Sequence, residues 1–323
     1  LALLFGYWGI TTILLFWAAL IRATREWGGH EEQGMAFGIL EGGRGLVAAL
    51  LASMGVVLLA SLMPDNLDQL NNEERREAFR SVIFFYSGAT LAAAALTWFV
   101  IPSVRHVGDS TRALFRNAVT VLGRPLVWAQ AAVIICAYCG YKGFDNYSLY
   151  AVQVLGMNEV DGAKITAYAT YVRPVAAIAA GLIADRWAAG KTVGACFILL
   201  VISYGALAVS VPVGAGLYII YGNLFVSVAA VFMLRGVYFA LLEENQVPPY
   251  LTGAVAGTVS FIGYTPEIFF GPITGRILDA NPGPVGHQHY FLFLAAVATI
   301  GVAAVSYTHL RAHETSSSIS YAV

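Results

Sequence analysis

Seven ionisable side chains lie inside long apolar stretches of the sequence: Glu41, Arg44, Lys142, Asp145, Arg173, Arg235 and Glu267. A charge in apolar surroundings is costly, so such groups are expected to face a partner or a polar cavity. Four of the seven are bases, and this slight positive excess suits an anionic ligand such as an organic acid, a sugar acid or a phosphate ester. A carboxylate at low dielectric also exchanges a proton readily, which makes Asp145 and Glu267 candidates for proton exchange.

Two pairs among these seven residues have the i, i+3 spacing that places side chains on one helix face. Glu41 and Arg44 can neutralise each other, and we expect a buried structural pair there. Lys142 and Asp145 either bind a ligand or carry a proton, pair with each other, or lie near an outer interface. Arg173, directly before a proline, either contacts an anion or donates to carbonyls of a neighbouring helix.

Other motifs do not indicate catalysis. Cys136 and Cys139 form a single C-x-x-C in an apolar run, whereas a metal site needs about four ligands. The glycine-rich residues 42–45 have no following Gly-Lys-Ser/Thr, so a phosphate-binding loop is not indicated. His287 and His289 lie in a proline-containing loop, and no Ser/His/Asp set stands out. We expect no metal, no cofactor and no enzyme activity.

The composition indicates that lipid surrounds most of the chain. Of 323 residues, 58% are hydrophobic and 11% are charged, and the mean hydropathy is +0.70. Soluble domains carry about 25% charged residues. The formal net charge of -1 gives no basis for nucleic-acid binding. A polytopic α-helical membrane protein is therefore predicted.

The sequence contains nine apolar runs, and a membrane-spanning helix takes about 20 such residues. The runs cover residues 1–21, 35–61, 79–101, 126–151, 163–184, 192–211, 216–241, 252–279 and 290–305. Helix is the expected form because it satisfies its own backbone polar groups in lipid. We predict an all-α membrane protein with about nine transmembrane helices in two bundles.

Basic residues in the connections indicate an orientation. Eight Arg or Lys residues lie in segments 22–33, 102–125 and 185–191, against five on the opposite side. This bias places the long 102–125 segment in the cytoplasm. We predict that this segment, with a short amphipathic helix near 111–121, links a bundle in 1–101 to a six-helix bundle in 126–305.

Both ends of the chain have unusual sequences. Residue 1 is a leucine inside an apolar run, which we interpret as an N-terminal truncation. Residues 306–323 form a polar tail with a serine tract, and they resemble translated adapter sequence. We expect this tail to be non-native and to contribute nothing to the fold.

Small residues recur at four-residue spacing, as in Gly34, Gly38 and Gly42, and again in Ala177 and Gly181. Such spacing lets helix backbones approach closely in lipid. It therefore predicts close helix–helix contacts, with a conformational hinge as the alternative interpretation.

Residues 181–187 (GLIADRW), followed by Gly190 and Lys191, resemble the loop Gly-x-Leu-Ala-Asp-Arg-x-Gly-Arg-Lys of the major facilitator superfamily. Gly190 and Lys191 come later than in that pattern. Segments 32–38 (EQGMAFG), 235–240 (RGVYFA) and 263–267 (GYTPE) are similar to the family's connection into helix five and to its helices ten and eleven. The resemblance covers most of residues 1–305. It implies twelve helices in two halves, of which this chain begins in helix four and lacks helices one to three.

The resemblance also implies where a solute binds. In that family, helices one, four, seven and ten line the central cavity, and the first and fourth runs here correspond to helices four and seven. With Arg173 added from the fifth run, the implied substrate-binding residues are Tyr7, Thr11, Tyr138, Tyr141, Lys142, Asn146 and Arg173. Aromatic faces with a few convergent polar groups suit a small-molecule site.

The loop at 181–187 implies a cytoplasmic gate. Asp185 can cap the N-terminus of a neighbouring helix, where the helix dipole favours an anion, and Arg186 can pair with Glu243 or Glu244. Such a cluster would close the cytoplasmic side while the outside is open. The alternative is a solvated turn that carries the ordinary positive charge of a cytoplasmic loop.

These observations predict a secondary active transporter of the bacterial inner membrane. It would move a small, anionic solute by alternating access, as a monomer, with protons or another ion as the coupling partner. The alternative is a membrane sensor or receptor on the same fold that binds its solute without moving it. The identity of the solute and the direction of transport do not follow from the sequence.

Overall fold

The computed structural model describes residues 3, 7, 9–62, 72–101, 120–210, 216–245, 247–248 and 251–320. Within these residues the regular secondary structure is helical and contains no strand. Most of the predicted linker, residues 102–119, lies outside the described part of the chain, and so does most of its expected amphipathic helix.

The described helices follow one another along the chain. A π-helical stretch, Ile10–Trp17, continues into α1 (Ala18–Gly28), followed by α2 (Gln33–Leu62) and α3 (Asn72–Val100). Helix α4 (Pro125–Gly143) passes through a 3₁₀ turn, Phe144–Asn146, into α5 (Tyr147–Gln153). The remaining helices are α6 (Glu159–Thr170), α7 (Val172–Trp187), α8 (Ala189–Val209), α9 (Gly216–Val237), α10 (Leu241–Glu244), α11 (Thr252–Gly263), α12 (Pro266–Ala280) and α13 (Pro284–Ser320).

Each of the nine predicted runs corresponds to a helical stretch among the described residues. Six of these stretches are long and apolar enough to cross a membrane: Gln33–Gly55, Arg76–Val100, Pro125–Gln153, Ala189–Val209, Leu217–Val237 and Pro284–His309. The other three stretches are less regular, with a π-helical start at Ile10, a turn at Tyr171 and a turn before Pro266. The predicted all-α membrane fold is confirmed, and the predicted number of about nine helices is roughly consistent with the described residues, six of whose helical stretches are candidate spans.

The last helix is longer than the apolar run at 290–305 that predicted it. It begins at Pro284, because proline suits the first position of a helix. It continues to Ser320, because residues 306–320 contain neither proline nor glycine to end it. The helical conformation does not test whether this tail is native, which stays a prediction.

By compactness the chain divides into two units, one of residues 1–43 and 111–323 and the other of residues 44–110. In the second unit, the Tyr86 hydroxyl of α3 donates to the Leu51 carbonyl of α2 over 3.4 Å. A Cβ atom at Gly55 would overlap the Tyr86 side chain, so the glycine leaves room for this contact. The division into bundles at 1–101 and 126–305 stays a prediction.

The core of the first unit lies among α4, α8, α9 and α13. Helix α8 packs along α13, α9 packs along α7, and α4 packs against α13 and α11. Aromatic side chains fill this core, and the fully buried ones include Tyr147, Tyr204, Tyr290, Phe197 and Phe291. Outward-facing apolar side chains such as Tyr218 and Ile268 are exposed, as expected for a surface that contacts lipid.

The break between α4 and α5 is stabilised by the last helix. The Tyr290 hydroxyl donates to the Gly143 carbonyl over 2.6 Å, and it accepts a hydrogen bond from Asn146 Nδ2 over 3.2 Å. A backbone carbonyl freed by a helix break at membrane depth needs such a partner. The 3₁₀ turn is therefore held by a buried tyrosine.

Helices α2 and α7 cross at the predicted small residues. A Cβ atom at Gly34 would lie 2.5 Å from the Gly181 carbonyl oxygen, and one at Gly38 would lie 2.7 Å from the Ala177 carbonyl oxygen. At Gly42 the corresponding distance to the Pro174 carbonyl oxygen is 3.0 Å. The predicted close backbone approach is confirmed, and it brings the polar groups of both helices together.

Candidate functional site

A buried charge cluster, the triad of Glu41, Arg173 and Arg235, joins three helices. Glu41 lies on α2, Arg173 near the start of α7, and Arg235 near the end of α9. Arg173 Nη2 and Arg235 Nε each lie 2.8 Å from the same oxygen, Oε1 of Glu41. The three side chains are 6%, 13% and 7% exposed, so the triad is largely withdrawn from water.

Aromatic rings of α4 and α9 pack on the two guanidinium groups. The Arg235 Cζ atom lies 4.0 Å from the centroid of the Tyr141 ring and 5.6 Å from that of Tyr138. The Arg173 Cζ atom lies 6.0 Å from the Phe232 ring centroid. These distances are within the range of cation–π attraction. Arg173 Nε and Arg235 Nη1 are buried and have no hydrogen-bond partner in the described part of the chain.

Tyr138 connects the triad to a second group of charges, which we call the outer charges: Lys142, Asp145 and Glu267. The Tyr138 hydroxyl donates to Glu267 Oε1 over 2.5 Å. Lys142 Nζ lies 2.9 Å from Asp145 Oδ2 and 3.6 Å from Glu267 Oε2. Both carboxylates are about half exposed, at 55% and 52%. The outer charges are therefore accessible from outside the fold, while the triad is largely buried.

Among the predicted substrate-binding residues, the structure brings four together. Tyr138 and Tyr141 of α4 lie beside Arg235, and Arg173 shares Glu41 with Arg235. Lys142 is connected to Tyr138 through Glu267. Asn146 instead donates to Tyr290 at the break of α4. Tyr7 is 64% exposed, and the Thr11 hydroxyl donates to the Tyr7 carbonyl of its own helical stretch. For Tyr7, Thr11 and Asn146, substrate binding stays a prediction.

The predicted partner of Glu41 was Arg44, and the structure gives Glu41 two further partners. Arg173 and Arg235 lie far along the chain, on helices whose packing against α2 cannot be read from local spacing. The i, i+3 rule considers only neighbours on one helix. The Glu41–Arg44 pair stays a prediction, and the interhelical contacts were missed.

A second polar cluster lies where the α1–α2, α7–α8 and α10 segments meet. We call it the loop cluster, and it comprises Arg25, His30, Asp185, Glu243 and Glu244. Asp185 accepts hydrogen bonds from the backbone N–H groups of Gly34 (2.6 Å) and Met35 (2.8 Å), at the start of α2. The predicted capping of a neighbouring helix by Asp185 is confirmed in the geometry, and its gating role stays a prediction.

Glu244 plays the corresponding part at α8. Its Oε2 accepts a hydrogen bond from the Gly190 N–H over 2.7 Å, in the first turn of that helix. Amide groups in the first turn of a helix have no partner within the helix, and the helix dipole favours an anion there. Asp185 thus links the start of α2 to α7, and Glu244 links the start of α8 to α10.

Glu243 pairs with Arg25 and His30, whereas Arg186 is the partner expected from the sequence. Arg25 Nη2 lies 2.6 Å from Glu243 Oε2, and His30 Nδ1 lies 2.5 Å from Glu243 Oε1. The pairing of Arg186 with Glu243 or Glu244 is wrong: Arg186 is exposed and forms no ion pair with either acid. The physical reason is that Arg186 ends α7 on its solvent side, while Arg25 at the end of α1 reaches the acid.

Each nitrogen of the Arg25 guanidinium has a hydrogen-bond partner. Besides Glu243, its guanidinium donates to Thr252 Oγ1 and to the Val247 carbonyl, both over 2.6 Å. Burial opposes ionisation of Glu243, but the hydrogen bonds from Arg25 and His30 outweigh it and hold the pKa of that carboxyl below its usual 4.5. Glu243 is therefore a charged anchor for the ends of α1 and α11.

The described residues combine helical stretches at all nine apolar runs with a buried charged triad and half-exposed charges beside it. This combination defines an integral membrane protein with a polar interior, which is the organisation of a solute transporter. The sequence model of the Major Facilitator Superfamily matches residues 1–272. The chain belongs to this family. It is a secondary transporter of the inner membrane and not an enzyme.

Two relatives come from Escherichia coli strain K12. The inner membrane protein YihN is 27% identical over an alignment of 325 residues in length, which covers 92% of this chain and 72% of YihN. The inner membrane protein YqcE is 26% identical over 311 residues, which span 92% of this chain and 69% of YqcE.

Solved structures with a similar fold include the transporter FucP in its outward conformation. The TM-score is 0.69 at 14% identity, with 90% of this chain and 72% of that chain covered. A variant of FucP, the E. coli fucose:proton symporter, gives a TM-score of 0.64 at 14% identity, with 91% and 73% covered. At this identity the likeness shows the fold.

Proposed function

We propose that the protein moves a small anionic solute by alternating access, coupled to protons. The observation that carries this proposal is the charge of the triad, in which two arginines share one glutamate oxygen. Two buried N–H groups of these arginines have no partner in the described part of the chain. An uncompensated buried charge is costly. An anionic solute would supply both the counter-charge and the missing acceptors.

The proposed substrate-binding residues include one member of the triad and further groups on α4 and on the stretch before α1. Arg173 contributes charge, Tyr138 and Tyr141 contribute aromatic faces beside Arg235, and Lys142 adds a second cation within reach of water. Asn146, one turn beyond Lys142, and Tyr7 and Thr11, on the stretch before α1, complete the proposed set. A few polar groups among aromatic faces fix the orientation of a small solute.

The proposed proton-coupling residues are Asp145 and Glu267. Both are half exposed and both lie near Lys142, so their protonation would change the pairing of that cation. The Tyr138 hydroxyl links Glu267 to the ring system around Arg235. The fold accommodates proton symport in FucP, whose name states it.

The proposed cytoplasmic gate is the loop cluster, with Asp185, Glu243 and Glu244 as its acids. Arg25 takes the place that the sequence analysis gave to Arg186. These contacts join α1, α2, α7, α8 and α10, so they must loosen for that side to open.

Uptake into proteoliposomes tests the proposed function. With a pH gradient, alkaline inside, the protein should accumulate radiolabelled D-gluconate and not D-glucose. Asp145→Asn and Glu267→Gln should each lower gradient-driven accumulation at least tenfold while retaining exchange of gluconate across the membrane. Glu26→Gln, in an exposed pair with Arg22, is the control and should accumulate normally.

Two outcomes would contradict this proposal in different ways. Full accumulation by Asp145→Asn would remove Asp145 from the coupling role. Binding of gluconate without any uptake would favour a solute sensor on the same fold over a transporter.

A further inference from the structure

We propose that Glu41 holds the place of the substrate's own carboxylate: a monocarboxylate binds Arg173 and Arg235 by displacing Glu41, and Glu41 then takes up the coupled proton. This inference rests on the proposed transport of an anionic solute and narrows that solute to a carboxylate. It also separates two roles: Asp145 and Glu267, which are half exposed, exchange the proton with the solution, and Glu41 is the group that holds this proton while the substrate is bound.

The geometry of Arg173 indicates a carboxylate as the ligand. On a guanidinium, Nε and Nη2 form one edge, and a carboxylate with two oxygens binds such an edge with two parallel hydrogen bonds. Glu41 lies 2.8 Å from Nη2, whereas Nε is buried and without a partner. The observed contact therefore leaves half of a two-bond site unused, and a substrate carboxylate would use both halves.

Arg235 shows a matching feature. Its Nε donates to Glu41 Oε1 over 2.8 Å, and its Nη1 is buried and without a partner. Because both arginines use the same glutamate oxygen, Glu41 engages each of them through a single N–H group. Such sharing makes Glu41 a weaker counter-ion for each arginine than a bidentate ligand would be.

The two arginines are positioned without Glu41. The Tyr141 ring lies 4.0 Å from Arg235 Cζ, and the Phe232 ring lies 6.0 Å from Arg173 Cζ. Helices α7 and α9 also approach closely, since a Cβ atom at Gly236 would lie 3.0 Å from the Ala177 Cα. The cationic pair can therefore persist when Glu41 leaves.

The charge balance of the exchange explains the proton. With Glu41 ionised, two arginines and one carboxylate give the triad one positive charge. With a substrate monoanion bound and Glu41 protonated, two arginines and one carboxylate again give one positive charge. The buried cluster is then electrically the same in both states, and one monoanion moves with one proton taken from the solution.

The groups that face Glu41 come from several helices. They are Arg173 of α7, Arg235 of α9 and, through Arg235, the tyrosines 138 and 141 of α4; Tyr238 lies near Arg235 as well. Arg44 lies three residues further along α2. Arginine stays protonated at physiological pH, so a proton delivered to the triad resides on Glu41.

Acetate provides a direct test. Glu41→Ala removes two carbon atoms and the two carboxylate oxygens, which is the size of acetate, and leaves Arg173 and Arg235 in place. In the detergent-purified full protein, sodium acetate should raise the Tm of Glu41→Ala by several degrees at constant ionic strength. Acetamide, the neutral isostere, and sodium chloride should not.

Glu267→Ala is the matched control, because it also removes a glutamate beside a cation but one that is half exposed. Equal stabilisation of both variants by acetate, or stabilisation by acetamide to the same extent, would overturn the inference. If Glu41→Ala is recovered as monodisperse protein only in acetate, that recovery is the same rescue. If it is not recovered in either salt, Glu41→Gln decides.

Glu41→Gln keeps the shape and mimics the protonated acid. In the wild type, gluconate binding should tighten by up to about tenfold per pH unit on acidification, as expected for one linked proton. In Glu41→Gln this dependence should vanish, while Glu26→Gln, in the exposed pair with Arg22, should keep it. Gluconate uptake by the wild type should follow the pH gradient and ignore a valinomycin-imposed potential.

Persistent pH dependence in Glu41→Gln would refute the role of Glu41 and leave the proposed function intact. Absence of gluconate uptake by the wild type would instead count against the proposed function, and the acetate rescue would still report on the site.

Discussion

Asp185 shows how a single side chain can hold two helices together. Both of its oxygens accept amide hydrogen bonds from the first turn of α2, while its backbone belongs to the end of α7. Replacing a capping acid by alanine costs about 1 kcal/mol, within a range of about 0.5–2. We expect Asp185→Ala to lower stability by at least that amount, measured as a fall in Tm in detergent.

The neighbouring residue supplies the control for this prediction. Arg186 is exposed and pairs with neither Glu243 nor Glu244. Arg186→Ala should therefore change the Tm little. An effect of Arg186→Ala as large as that of Asp185→Ala would show that the loop acts through its charge and not through the cap.

The lowered pKa of Glu243 predicts that the stability of the protein falls on acidification. Because its pKa is lowered in the folded state, Glu243 stabilises the protein above its unfolded pKa, and this contribution is lost as the pH falls through the folded value. The Tm difference between the wild type and Glu243→Gln should be full at pH 7 and shrink below pH 4.5, the usual value for this carboxyl.

Glu26→Gln serves as the comparison, since Glu26 forms an exposed pair with Arg22 one turn away on the same helix. Exposed ion pairs contribute little to stability, so its Tm should follow the wild type across the same range. A gap between wild type and Glu243→Gln that grows on acidification would contradict the assigned direction.

The candidate site could be predicted in part from single residues. Apolar flanks identified Glu41, Lys142, Asp145, Arg173, Arg235 and Glu267, because a charge within an apolar run is informative by itself. The pairing of Glu41 with two arginines could not be predicted, since their separation along the chain says nothing about contact. Arg25 was missed because it looks like any basic residue in a loop, and only the fold places it on Glu243.

At the scale of the helices, the close crossing of α2 and α7 brings Glu41 of α2 to Arg173 of α7. Gly34 meets the Gly181 carbonyl so closely that a methyl group would overlap it. Over-packing a tight contact costs about 1–3 kcal/mol. Gly34→Ala should therefore lower the Tm, and it should weaken gluconate binding because Glu41, two turns further along α2, moves away from α7.

Gly43 is the internal comparison on the same helix, because a Cβ atom there meets nothing within 4 Å. Alanine is favoured over glycine inside a helix by about 0.5–1 kcal/mol. Gly43→Ala should leave the Tm unchanged or raise it. Equal destabilisation by both substitutions would mean that helix propensity, and not the crossing, explains the loss.

The helices themselves followed well from the sequence, since each apolar run has its helix. The breaks did not. The turn at residues 144–146 lies inside the single predicted run 126–151, and its stabilising contact comes from Tyr290 on the last helix. A proline directly follows only some of the interruptions, as Pro266 does, so local composition predicted where helices exist but not where they bend.

At the scale of the whole molecule, alternating access requires the two sides of the protein to open in turn. In the proposed mechanism, the loop cluster is the contact that separates when its side opens. Arg25 and Glu243 form its buried ion pair, with side chains 6% and 22% exposed. Removing one partner of a buried pair leaves the other uncompensated. The substitution would therefore destabilise the closed arrangement more than an open one, in which both groups contact water.

Arg25→Gln should therefore shift the population toward opening at this side. A cysteine at Ala240, which is 2% exposed and lines the cavity beside Glu243, would report it in a background where the three buried native cysteines are replaced. A shift of about 1.4 kcal/mol corresponds to a tenfold change, and we expect alkylation by a water-soluble maleimide to accelerate by about that factor. The reciprocal exchange Arg25→Glu with Glu243→Arg should slow it again, because the pair is restored. If Arg25→Gln leaves the rate unchanged, the pair caps the ends of α1 and α11 in every state and does not gate transport.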